Sequence, residues 1–198
     1  NRLVKSIVSD KNLARSLKVQ VHEALVNSSA LYCAETWSWG YEKTLDSVDT
    51  TSARNFLQMN NEHWNLKKTF GSGGSGRAIR ALHGRSGLRM HRDVATLAYW
   101  FRMMCESETR LNRVAFEEAD FRGSLKNRIL KLLRDVNLSY ATICQEIVDR
   151  SRNPRTFNFS VSEFKERIIG PLYQKHRYEL LADLRNRSKT KDIIIDHI

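Results

Sequence analysis

Residues 88–105 read LRMHRDVATLAYWFRMMC, and the spacing of their apolar side chains decides what fold the chain can make. Met90, Val94, Leu97, Ala98, Phe101, Met104 and Cys105 recur at steps of three and four. That spacing lines up one face of a helix with about 3.6 residues per turn. Val, Ile and Thr nowhere fall in the alternating runs that a half-buried strand needs. The expectation is an all-α, multi-helix bundle.

Working outward, the same period recurs. Leu3, Val4, Ile7 and Val8 form a short first stripe, after which Asp10 is placed to cap a second helix. That helix carries Leu13, Leu17, Val21, Ala24, Leu25, Ser28 and Leu31, and Gly40 ends it beyond Trp37 or Trp39. Leu45, Val48, Ser52, Phe56 and Met59 mark a third helix that doubles back on it. Downstream, Ala78 to Leu82 makes no more than a turn of helix, and HGRSG (residues 83–87) is a loop by its two glycines. Leu125, Ile129, Leu132 and Leu133 predict a helix that ends near Asn137. Ser139 opens another through Ile143, Ile147 and Val148, stopping before SRNPRT (residues 151–156). Ser160 and Glu163 form an S-x-x-E capping box that launches Phe164, Ile168 and Ile169. Gly170-Pro171 is expected to kink or split this last helix; Leu172, Tyr173, His176, Leu180, Leu181 and Leu184 continue its stripe.

GSGGSG at residues 71–76 interrupts an otherwise complex sequence with an artificial-looking linker. Six such residues span about 13 Å on average, so the ends they join must lie close together in the folded state. The chain divides here into a helical segment 1–70, the linker, and a basic helical segment 77–198 expected to share one core with the first. With 198 residues, 41% of them hydrophobic, there is enough material for one domain or for two small ones around a common core. No stretch approaches the roughly 18 apolar residues of a membrane span, which points to a soluble intracellular protein of the nucleus or cytoplasm. Cys33, Cys105 and Cys144 are odd in number and lack metal-ligand spacing, so they read as buried free thiols, with no metal and no cofactor expected.

Charge carries the functional signal. Thirty-three basic residues against 22 acidic give a net +11 and favour polyanionic partners, nucleic acid first. Residues 1–70 hold 9 basic and 7 acidic groups, whereas 77–198 hold 24 and 15, so the excess lies downstream of the linker. Lys67, Lys68, Arg77, Arg80, Arg85, Arg89 and Arg92 fall in a window with no acid between Glu62 and Asp93. Gly84 and Gly87 would let the backbone come near a phosphate there. A second run, Arg122, Lys126, Arg128, Lys131 and Arg134, wraps a helix and reads more as a solvated face than as a groove. A third, Arg150, Arg152 and Arg155, falls in a loop. The candidate phosphate contacts are the seven residues of the first window together with Lys126, Arg128, Lys131, Arg150, Arg152 and Arg155.

SALYCAETWSWG (residues 29–40) packs Tyr32, Trp37 and Trp39 around Glu35, as a structural corner or, on the sharper reading, as a base-stacking platform. Leu31-Tyr32-Cys33-Ala34-Glu35-Thr36-Trp37, the preceding SLKVQVHEALVNSSA and the following Leu45-Asp46-Ser47-Val48 resemble the thumb of reverse transcriptases from non-LTR retrotransposons. Cys33 stands where that family usually has glycine. The likeness covers roughly residues 2–60; RDVATLAYWFRMM (92–104) is similar to the helix after the thumb in such elements, and the basic segment 162–193 to their C-terminal end. The resemblance implies a piece lying C-terminal to the polymerase palm that holds the backbone of RNA or an RNA–DNA duplex. The family's Tyr/Phe-x-Asp-Asp turn does not occur in the sequence, nor do GxxxxGK[ST], HExxH or GxSxG, so no catalysis is expected. His91 and Asp93, two apart on a helix, aim in different directions. The rival expectation is a helical protein-interaction module with a basic surface. The run Ile193 to Ile195 either docks on the core or mediates self-association.

Overall fold

The computed structural model describes residues 10, 12–32, 42–56, 65, 67, 68, 70, 78, 81, 87–118, 125–152 and 160–187. Among them there are seven helices and no strand, so the fold is all-α. Helix α1 comprises Arg15–His22, a π-helical turn Glu23–Asn27 and Ser28–Ala30. It is followed by α2 (Glu42–Phe56), α3 (Leu88–Met104), α4 (Leu111–Glu118), α5 (Leu125–Asp135), α6 (Tyr140–Arg152) and α7 (Val161–Arg187). The stripe Leu3 to Val8, the patch from Cys33 to Gly40, the loop from His83 to Ser86 and the run Ile193 to Ile195 lie outside the described residues.

Two compact units divide the chain, one of Asn1–His91 with His176–Ile198, the other of Arg92–Lys175. The boundaries therefore fall within α3 and α7, not at the linker. Composition and charge located the linker, and neither records which residues touch. Phe70 and Ala78, described positions on either side of residues 71–76, join one buried cluster with Ala81 and Leu184, against which Leu180 packs. The ends flanking the linker thus share one cluster, as its short reach requires.

The unit Arg92–Lys175 is organised around aromatic rings. Trp100, Phe101, Ile129, Leu132, Leu133, Ile143, Phe164, Ile168 and Leu172 are each at most 1% exposed, and they come from α3, α5, α6 and α7. Phe101 and Phe164 stack at 4.4 Å with planes 10° apart. Trp100 lies tilted against Phe164 at 6.2 Å and against Tyr140 at 5.5 Å. Close ring pairs of this kind add about 0.5–1.5 kcal/mol each beyond their burial. Of the stripe read in residues 88–105, Met90, Leu97, Ala98, Phe101 and Met104 are buried, Val94 is half-buried, and Cys105 is exposed just past the end of α3. Cys144 is half-buried, so neither described thiol is the fully buried one expected.

Local chemistry ends α5 and starts α7 where the sequence placed those two boundaries, whereas α6 runs two residues into SRNPRT. Asn137 adopts φ 57°, and the Leu138 and Asn137 amides donate to the carbonyls of Leu133 (2.8 Å) and Arg134 (3.0 Å). This pair of bonds is a Schellman C-cap. The capping box forms in full: the Ser160 amide donates to Glu163 Oε2 (2.8 Å) and the Glu163 amide to Ser160 Oγ (3.2 Å). Helix α7 is not split at Gly170-Pro171. Both residues are exposed, so water can satisfy the Arg167 carbonyl that proline's missing N–H leaves without its helical donor. Helix α4 escaped the sequence reading because Phe116 is its one buried residue, too little for a stripe. Arg113 ties it back, donating from Nη1 to the carbonyls of Met104 (3.2 Å) and Glu106 (2.9 Å).

In the other unit the expected apolar stripes hold only in part, Leu45 being buried as read. Leu17, Leu25 and Val48 remain 40–43% exposed, while Lys18 and His22 of α1 and Leu45 and Asp49 of α2 are buried. The π turn Glu23–Asn27 shifts the 3.6 period only for residues after it; before it, the buried face of α1 is already the one that carries Lys18 and His22. Hydrogen bonding makes the polar interior tolerable: His22 Nε2 meets Ser52 Oγ at 2.9 Å, and Ser52 Oγ donates to the Asp49 carbonyl at 3.1 Å. Asp10 is not the cap of α1. Its Oδ1 accepts the Asn12 amide (2.8 Å) in a local turn, and the helix starts at Arg15 behind Ala14.

Burial, reinforced by Cys144, pushes the Tyr140 phenol well above its ordinary value of 10.0. The folded chain then keeps the proton that the unfolded chain releases, so this contribution to stability is intact below about pH 10 and falls above it. Urea unfolding at about pH 8 and about pH 10.5 is expected to show a loss of stability at the higher pH. The loss should be smaller in Tyr140→Phe, which cannot ionise.

Candidate nucleic-acid interface

Helix α3 begins with N–H groups that have no helical acceptor. Asp46 and Asp49, one turn apart on α2, meet this start. Asp49 Oδ2 accepts the Leu88 amide at 3.4 Å, and Asp46 Oδ2 accepts Arg89 Nη2 at 2.6 Å. Two carboxylates at a helix N-terminus also oppose its positive end. Arg89, read as a phosphate contact, is therefore committed to Asp46.

Arg92 leaves the candidate set. It is 2% exposed, and its Nε and Nη2 donate to Asp93 Oδ1 at 3.0 and 2.8 Å. Arg128 Nη2 donates to the same oxygen at 3.0 Å. One buried carboxylate gathers two guanidinium groups that the sequence had assigned to a ligand. Lys126 Nζ donates to the Glu117 carbonyl at 2.8 Å. The run 122–134 thus separates into cations tied inward, Lys126 and Arg128, and cations that face solvent, Lys131 and Arg134.

Of the remaining candidates, Lys67, Lys68, Lys131 and Arg152 are exposed. Arg150 and Arg152 lie in the last turn of α6 rather than in a loop, and the side chain of Arg150 is outside the described residues, as are Arg77, Arg80, Arg85 and Arg155. Of the arginines around the start of α3, the described ones, Arg89 and Arg92, serve the fold.

Helix α5 shows the cleaner arrangement. Ile129, Leu132 and Leu133 are buried, and Asn127, Lys131 and Arg134, at steps of four and three, form the opposite, exposed stripe. Its single carboxylate, Asp135, is taken by Lys175 Nζ at 2.5 Å. Arg134 Nε reaches only the Leu130 carbonyl, at 3.3 Å. Arg134 was not among the chosen candidates; projecting the run onto a helix beside its apolar positions is the signal that finds it. Arg102 and Arg110 are also exposed and were passed over, since neither sits in a dense basic run.

The two described thiols offer no activated nucleophile. Burial raises Cys144, and burial raises Cys105 against the opposing charge of Arg113. No group of three or more His, Cys, Asp or Glu side chains placed to hold a metal occurs among the described residues. No helix among them is long and apolar enough to cross a membrane. No known protein family, curated protein or solved structure matches the chain.

Removing one member of the Asp93 cluster is the test of its structural role. Asp93→Asn leaves two guanidinium groups, one of them fully buried, without their counter-charge and is expected to cost about 3–5 kcal/mol in urea unfolding. Arg128→Gln should cost less, since Arg92 still neutralises Asp93. Equal and small losses for both would mean that the cluster contributes little.

Proposed function

We propose that the chain is a non-catalytic, helical nucleic-acid-binding module that holds the phosphate backbone of RNA or an RNA–DNA duplex. The observation that carries this reading is the outer stripe of α5, where Lys131 and Arg134 face solvent while the helix's one acid is taken by Lys175. The pairing is general: Asp46, Asp93, Glu146 and Asp183 are likewise engaged by Arg89, by Arg92 and Arg128, by Arg167 and by Arg187. A chain of net +11 carries more cations than its acids can pair, and the excess favours a polyanionic partner. Arg152 at the end of α6 adds to that field, and Lys67 and Lys68 do so in the other unit. The likeness of residues 2–60 to a reverse-transcriptase thumb supports the same reading, and a duplex of A-like form would be gripped by shape and charge rather than by base identity.

A second reading, a protein-interaction module, draws on a different observation. Arg89, Arg92 and Arg128 are consumed by carboxylates, and Leu17 and Leu25 of α1 and Val48 of α2 stay exposed.

Fluorescence anisotropy with an RNA–DNA hybrid at a series of salt concentrations separates the two. Log affinity is expected to fall linearly with log salt. The double variant Lys131→Gln, Arg134→Gln should flatten the slope by about one for each phosphate that these two side chains neutralise, equally for unrelated sequences. An unchanged slope would favour the interaction module.

A further inference from the structure

We propose that the C-terminal half of α7 is a single-strand site in which Tyr178 stacks an unpaired base and Arg185 holds a neighbouring phosphate. This deepens the nucleic-acid reading above and rests on it. Tyr178 is 73% exposed, and its ring stands open to solvent. It lies in the middle of an ordered helix, not at a frayed end. Leu184 is buried with Phe70, Ala78 and Ala81, and Leu180 packs on that cluster. At about 100° per residue these two leucines lie roughly 120–160° around the axis from Tyr178. The helix is thus pinned by one side and presents the ring on the other.

The charges around the ring favour a polyanion. Arg185, seven residues on, falls within about 20° of Tyr178 around the axis and about 10 Å along it. It is exposed and has no carboxylate partner among the described residues. Arg177, one position before the ring, is exposed about 100° around the axis. Of the two acids here, Asp183 accepts Arg187 Nε at 2.8 Å, and Glu179, exposed, lies 3.9 Å from His176 about 100° around the axis from the ring. An aromatic face in line with a guanidinium is the pairing with which proteins take extended single strands: the ring offers a surface every base can cover, and the cation offers a phosphate contact. A duplex hides its base faces and cannot use the ring, so the predicted ligand is a single-stranded stretch.

The full chain is titrated with a mixed-sequence single-stranded oligonucleotide and with the matched duplex. Tyr178→Ala is expected to weaken the single strand about tenfold and to leave the duplex unchanged. Tyr178→Phe, which keeps the ring, should retain the original affinity, and Arg185→Gln should flatten the single-strand salt slope by about one. Circular dichroism checks that the surface variants stay folded. Equal losses on both probes, or none on either, would overturn the stacking role while the phosphate reading stands. Failure of the unaltered chain to bind either probe would overturn the phosphate reading and this inference together.

Discussion

A buried charge must be neutralised where it lies, and in this protein that requirement shapes the surface as well as the interior. Asp93 sits inside its unit with Arg92 and Arg128 on one of its oxygens. Without Asp93, neither arginine could turn inward at tolerable cost. Asp46 and Asp49 do the related task at the start of α3, one holding Arg89 and the other the Leu88 amide. Each of these carboxylates removes an arginine from the outer face or fixes a helix end. Lys131 and Arg134, by contrast, stay exposed on the outer face of α5.

The aromatic core depends on the same helix. Trp100 and Phe101 lie beyond Asp93 by about two turns of α3, and their rings meet Tyr140 and Phe164. Charge inside a packed helix is costly unless it is paired, and the buried charges of α3, Arg92 and Asp93, are paired with each other. Packing and electrostatics here are one problem: the ring stack sets the position of α3, and the ion cluster makes that position stable.

Function, on the reading proposed, uses the remainder. The stripe of Lys131 and Arg134 on α5 and the Tyr178–Arg185 face of α7 are each backed by a buried apolar face on the same helix. Such backing holds side chains at a set spacing, and spacing matters to a partner whose phosphates and bases repeat. Cations scattered on loops would raise local counter-ion concentration without that order.

Much of the architecture was legible from the order of residues alone. The 3.6 period of residues 88–105, the capping box at Ser160 and Glu163 and the turn at Asn137 each rest on contacts within about five positions, so the local sequence contains the whole cause. Helix α4, with one buried residue, lacked that signal, and α1 buries Lys18 and His22 where the stripe had been read through Leu17 and Leu25. The interface was less legible. A basic window looks continuous when the acids lie outside it, yet Asp46 returns from 43 positions away to Arg89 and Asp93 is reached by Arg128 from 35. Composition determined that cations would be in excess, because charge is a sum over residues. Which cations would face solvent was decided by tertiary structure, because pairing depends on distances that only folding sets.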